Sequence, residues 1–126
     1  MKLLLLASAG GAIGAGCRHL VNVGFARWLG IEFPWATLTV NVVGSLLMGV
    51  LVGAILLHHE GSPELRTFLA TGVLGGFTTF SAFALDVEVL VARQQPGLAL
   101  AYVLASVTVS ILALYAGMLA ARMALS

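Results

Sequence analysis

The stretch that decides the architecture is Gly72-Val73-Leu74-Gly75-Gly76-Phe77-Thr78-Thr79-Phe80-Ser81-Ala82-Phe83. It carries no charge, so it can lie within a bilayer. It is also poor helix material. Adjacent glycines cost helix stability through backbone entropy, and threonine and serine offer the backbone competing hydrogen bonds. Backbone that leaves the α-helix at membrane depth persists only where protein or a polar cavity satisfies its N–H and C=O groups. Such interruptions mark ion and substrate sites in membrane proteins. The run therefore predicts a third membrane helix broken near its middle, beside a polar path lined by backbone groups, hydroxyls and phenyl rings.

The residues on either side support a membrane setting. Apolar residues make up 60% of the chain, charged residues only 9%, and mean hydropathy is +1.08. A soluble domain carries about 25% charged residues, so this chain cannot cover a water-facing surface. A net charge of +1 argues against a nucleic-acid partner, which would need a basic stripe. The single Cys17 excludes an internal disulfide and a multi-cysteine metal site. No nucleophile–base pair or metal-ligand spacing points to an enzyme.

Four apolar spans are expected, at about 3–26, 35–57, 66–91 and 98–121, in a single domain over residues 1–126. Each reaches the roughly 20 residues needed to cross a bilayer. The first carries Arg18 and the third carries Asp86 and Glu88, with Arg66 at its start, while the second and fourth carry no charge. The connectors are short and contain Pro34, Gly61 with Pro63, and Pro96. The Lys2-led leucine run before Ala7-Ser8-Ala9 resembles a secretory signal, but apolar sequence continues to Cys17, so it reads as the first membrane helix. Four spans place Lys2, Arg66 and Arg122 on one side, and Arg18, Arg27 and Arg93 on the other. That even balance gives no preferred orientation under the positive-inside rule. Either both orientations insert and pair, or other topogenic features decide. Glycines four apart, at Gly10 and Gly14, Gly49 and Gly53, and Gly72 and Gly76, offer close helix contact.

Three segments carry a family resemblance. They are Gly10-Gly11-Ala12-Ile13-Gly14-Ala15-Gly16-Cys17-Arg18, then Thr37-Leu38-Thr39-Val40-Asn41-Val42-Val43-Gly44-Ser45, then Gly72 to Phe83. In order and spacing the chain resembles the CrcB/Fluc family of fluoride channels over essentially its whole length. The resemblance implies an all-α membrane protein that works as an antiparallel, dual-topology homodimer in the bacterial inner membrane. It implies two fluoride pathways and passive fluoride export. It further implies a structural sodium ion at the dimer centre, held by main-chain oxygens of Gly75 and Thr78.

Each implied site has its own chemistry. Phe80 and Phe83 lie three apart, and a phenyl ring presents a positive edge that stabilises an anion without adding a competing charge. Plain packing is the other reading; the resemblance places both beside the anion. Asn41 is a lone amide in an apolar span, which either bonds a neighbouring helix or, as the resemblance implies, turns its NH₂ donor to fluoride. Tyr102, Ser106 and Ser110 are spaced by four and share one helix stripe, matching a polar track in the family. Such hydroxyls otherwise bond back to their own helix. Thr79 and Ser81 remain as hydroxyl donors where Ala82 and Ala84 replace the Thr and Ser common in relatives. Arg18 is expected in a positive vestibule or snorkelling to headgroups. Asp86 stands where the family usually has glutamate, at the pore mouth.

Two rivals are weighed against the channel. A small multidrug transporter has four spans and dual topology, but needs a membrane-embedded glutamate in its first span, and this first span has none. A non-transporting membrane scaffold would explain the glycines but not the clustered Phe, Thr and Asn.

Overall fold

In the computed structural model, residues 1–58 and 61–125 are described. Among them every element is helical: α1 (Lys2–Leu29), α2 (Trp35–His58), α3 (Pro63–Arg66), a wide-turn segment (Thr67–Leu74), α4 (Gly75–Phe77), α5 (Phe80–Ala92) and α6 (Pro96–Leu125). Four stretches are long and apolar enough to cross a membrane: Lys2–Leu29, Trp35–Ile55, Pro63–Ala92 and Pro96–Leu125. They correspond one to one with the expected spans. The last runs further at both ends than the expected 98–121, and Pro96, whose ring fixes a φ suited to a helix, stands at its first position. The third likewise starts earlier, at Pro63, where Ser62 accepts the Leu65 N–H at 3.1 Å. Chain reversals fall where the backbone takes positive φ, at Gly30 (76°), Gly61 (104°) and Gln94 (62°).

The helices associate as two glycine-zipped pairs. Along α1, Gly10 and Gly14 meet Gly72, Val73 and Gly76 so closely that a methyl at Gly10 would lie 2.9 Å from the Gly72 Cα. A methyl at Gly14 would run into the Val73 carbonyl. The second pair joins α2 to α6, where Gly49 and Gly53 face Leu114, Met118 and Ala121, and Gly117 faces Leu46 and Val50. Lipid supplies no hydrophobic force between helices, so backbone-to-backbone contact of this kind holds them together. The expected glycine pairs all lie in such seams.

Between α5, α6 and the start of α2 sits a small core of Phe83, Leu90, Ala99 and Tyr102, with Phe33, Leu38, Val87 and Val103 against it. Leucines 4, 20, 85, 100, 112 and 119 point outward, as helices bathed in lipid require.

Candidate functional site

The site grows from the interruption between α4 and α5. Over Thr67–Leu74 the chain winds in wide i→i+5 turns, a form that clusters at functional positions. Thr78 then ends the helix: its N–H and its hydroxyl both donate to the Leu74 carbonyl at 3.0 Å. Thr78 and Thr79 are extended, with ψ of 160° and 124°. Helix resumes at Phe80, capped by the Thr79 hydroxyl, which accepts the Ala82 N–H at 3.2 Å. Two residues of extended backbone thus separate a helix C-terminus from a helix N-terminus.

Asn41 holds this gap. Its Oδ1 accepts the Thr79 N–H at 2.7 Å, and its Nδ2 donates to the Thr79 carbonyl at 3.0 Å. The amide imitates a strand partner for one residue and satisfies backbone that the helix has released. One Nδ2 hydrogen is left for another acceptor. Below it, Gly44 leaves space for Thr78, since any Cβ there would collide with the Thr78 methyl.

A cavity of about 340 Å³ opens against the gap. Asn41, Thr79, Phe80, Phe83, Ser106 and Ser110 all line it. The hydroxyls of Ser106 and Ser110 are buried with no hydrogen-bond partner. A buried hydroxyl left unpaired costs about 1–3 kcal/mol, so two of them in one cavity wall are donors open to a guest. Back-bonding, the alternative fate of a helical serine, does not occur at either. The Phe80 and Phe83 rings lie 5.6 Å apart, tilted by 55°. Phe83 is buried, whereas Phe80 is 79% exposed and leaves that side of the cavity open.

Tyr102 takes a different place from the two serines on its stripe. It is fully buried, packs on Phe83 at 5.2 Å and on Phe33 at 5.5 Å, and its hydroxyl donates to the Asp86 carboxylate at 3.0 Å. Asp86 also lines a second cavity of about 280 Å³, shared with Asn22, Glu32, Thr37 and Arg93. Tyr102 thus touches Phe83, which lines the first cavity, and Asp86, which lines the second. Ser81 is exposed and lies 3.5 Å from the Thr79 hydroxyl, at the rim. Arg18 lines neither of these cavities.

Sequence reasoning did not single out Ser45, which lines the first cavity one turn after Asn41. The i,i+4 relation to Asn41 was the available clue. Nor does the spacing reveal that Asn41 spends both ends of its amide on Thr79, or that Tyr102 is tied to Asp86.

The break exposes main-chain groups of both signs. The first N–H groups of α5 carry the positive end of its dipole toward the gap, beside hydroxyl and amide donors and the rings of Phe80 and Phe83. Four membrane-length helices and this donor-lined slot define a small helical membrane protein with a polar site at a helix interruption. Comparison with known proteins is specific. The model for the CrcB-like protein family (Camphor Resistance, CrcB) matches residues 5–118. A protein of Rhodospirillum centenum is 52% identical over 126 residues, covering 100% of each chain. One from a Chelativorans species is 57% identical, covering 97% of this chain and 98% of its own. One from Cereibacter sphaeroides is 56% identical, covering 94% of each. All three are named fluoride-specific ion channel FluC. This chain belongs to the CrcB family and is a multi-pass membrane protein.

Proposed function

We propose that this protein is a fluoride-selective channel that lets fluoride leave the cytoplasm passively and so lowers its toxicity. The observation that carries the reading is the pair of unpartnered hydroxyls, Ser106 and Ser110, in one cavity wall with Asn41, Phe80 and Phe83. Fluoride is small and holds its water tightly, so a path for it must replace that water with short donor contacts. Hydroxyls, the remaining Asn41 hydrogen and phenyl edges do this without a fixed cation that would trap the ion. Membership of the CrcB family and the names of the relatives support the same reading. It is a reading of a channel, not of an enzyme.

The working unit in this proposal is an antiparallel homodimer in the bacterial inner membrane, with two anion pathways. The exposed Phe80 ring beside an open cavity wall supports a partner on that side. The third span, broken at membrane depth, contributes to both the anion pathway and the centre of the dimer. Gly75 and Thr78 would hold the structural sodium ion through main-chain oxygens, and the hydrogen bonding fits this. The Thr79 N–H, which a continuous helix would give to the Gly75 carbonyl, goes to Asn41 instead. The Ala82 N–H, the helical donor for the Thr78 carbonyl, goes to the Thr79 hydroxyl. Two neutral oxygens per copy are thereby released, and carbonyl oxygens suit a hard monovalent cation. When bound, the ion would supply positive charge that joins the carbonyls of two copies.

The test is fluoride efflux from liposomes that hold the purified protein, read with a fluoride electrode, with chloride-loaded vesicles in parallel. Fluoride release without chloride release is expected. Vesicles that retain fluoride although the protein is folded and inserted would overturn the proposal and favour a scaffold.

A further inference from the structure

The second cavity has a charge problem that the channel reading must answer. Two carboxylates line it, those of Glu32 and Asp86. An anion passing between two carboxylates is repelled. Among the residues that line the cavity, Arg93 is the basic one. It follows the last turn of α5, and its Nη1 donates to the Ile31 carbonyl at 3.1 Å. That contact anchors the guanidinium to the α1–α2 connection but leaves its charge intact, because the acceptor is neutral. It also uses one of five N–H donors, so the others stay available. Among the described residues the ion pair is Lys2 with Glu64 at 3.7 Å, neither of which lines this cavity, so neither Glu32 nor Asp86 neutralises Arg93 by contact.

Tyr102 links this cavity to the one that holds Ser106 and Ser110: it donates to Asp86 and packs on Phe83, which lines that first cavity. In the second cavity the Asp86 carboxylate is engaged by Tyr102, while Arg93 and Glu32 are exposed. We propose that the second cavity is the approach to the first, and that Arg93 and Glu32 set, with opposite signs, the rate at which fluoride reaches the pathway. Arg93 offsets the carboxylates and gathers the anion, and Glu32 opposes it. The assignment rests on the channel reading above and adds two residues to it.

The experiment is fluoride current through the intact protein in planar bilayers. Fluoride is held constant, and ionic strength is raised with an impermeant salt. At low ionic strength Arg93→Gln lowers the current about threefold and Glu32→Gln raises it by a similar factor, the effect of one unit charge several ångströms from the ion in water. Arg93→Lys, which keeps the charge, stays close to the unmodified protein. At high ionic strength the variants converge, because exposed charges are screened. A loss in Arg93→Gln that persists unchanged in high salt would overturn the proposal and make Arg93 a structural strap for the α1–α2 connection. Currents in Glu32→Gln that stay equal to or fall below the unmodified protein at low salt would overturn it too. Absence of fluoride current in the unmodified protein would instead defeat the channel reading itself, and the assignment with it.

Discussion

Ser106 and Ser110 carry buried hydroxyls that find no partner in the chain, whereas Asn41 spends both ends of its amide on Thr79. The two kinds of polar residue should answer mutation differently. Ser106→Ala or Ser110→Ala removes a group that the fold does not use, so thermal stability in detergent should hold or rise slightly. Fluoride flux in the liposome assay should still fall. A loss of stability without a loss of flux would assign the serines to packing. Asn41→Ala leaves the Thr79 N–H and carbonyl unpaired and should cost about 1–3 kcal/mol together with flux. Asn41→Asp keeps an acceptor for the Thr79 N–H but loses the donor and places an anion in the path, so permeation should stop. Retained fluoride flux in Asn41→Asp would remove Asn41 from the pathway. Phe83→Ile keeps an apolar wall but removes the ring edge, and a sharp drop in fluoride flux with unchanged assembly is expected.

At the level of helices, the seams depend on missing side chains. Gly14 and Gly117 each lie where a methyl would enter a facing carbonyl, of Val73 and Leu46 respectively. Gly24 has nothing within 4 Å of the place a Cβ would take. Gly14→Ala and Gly117→Ala should therefore destabilise the fold by about 1–3 kcal/mol, the usual cost of overpacking. Gly24→Ala should be neutral or stabilising, since alanine is the better helix former by about 1 kcal/mol. Thermal unfolding in detergent separates the two groups, and equal effects at all three sites would show that the seams do not hold the helices. The same seams set the third span in place. Gly72 and Gly76 against α1 bring the chain to Thr78 beside Gly44, where Asn41 can reach Thr79.

The whole molecule leaves one wall of the first cavity, the proposed anion site, unfinished at Phe80. In the proposed dimer a second copy closes it. Native mass spectrometry of the purified protein should find a dimer, and a conducting monomer would refute the arrangement. Sodium withdrawal should lower flux or weaken dimer association, because the freed Gly75 and Thr78 carbonyls would lose their shared cation. Flux and dimer mass that are indifferent to replacing sodium with a large organic cation would remove the ion from the proposal. Transport should follow the fluoride gradient without obligatory proton movement.

The four helices were legible in the residues because twenty-odd apolar positions in a row have one stable solution in lipid. The weakness of Gly75-Gly76-Phe77-Thr78-Thr79 as helix was legible too, since it follows from local entropy and competing hydroxyls. Spacing alone put Tyr102, Ser106 and Ser110 on one stripe, and they do share α6. Their fates on that stripe were decided elsewhere. Asp86, sixteen residues away, claims the Tyr102 hydroxyl, while nothing reaches the serines. Likewise Asn41 could be known from its position as a costly buried amide, but not that Thr79, thirty-eight residues on, is its partner. A hydrogen bond needs its two groups within about 3 Å in the right direction. Periodicity along one helix says which face a group occupies, and only the packing of helices says what it meets there.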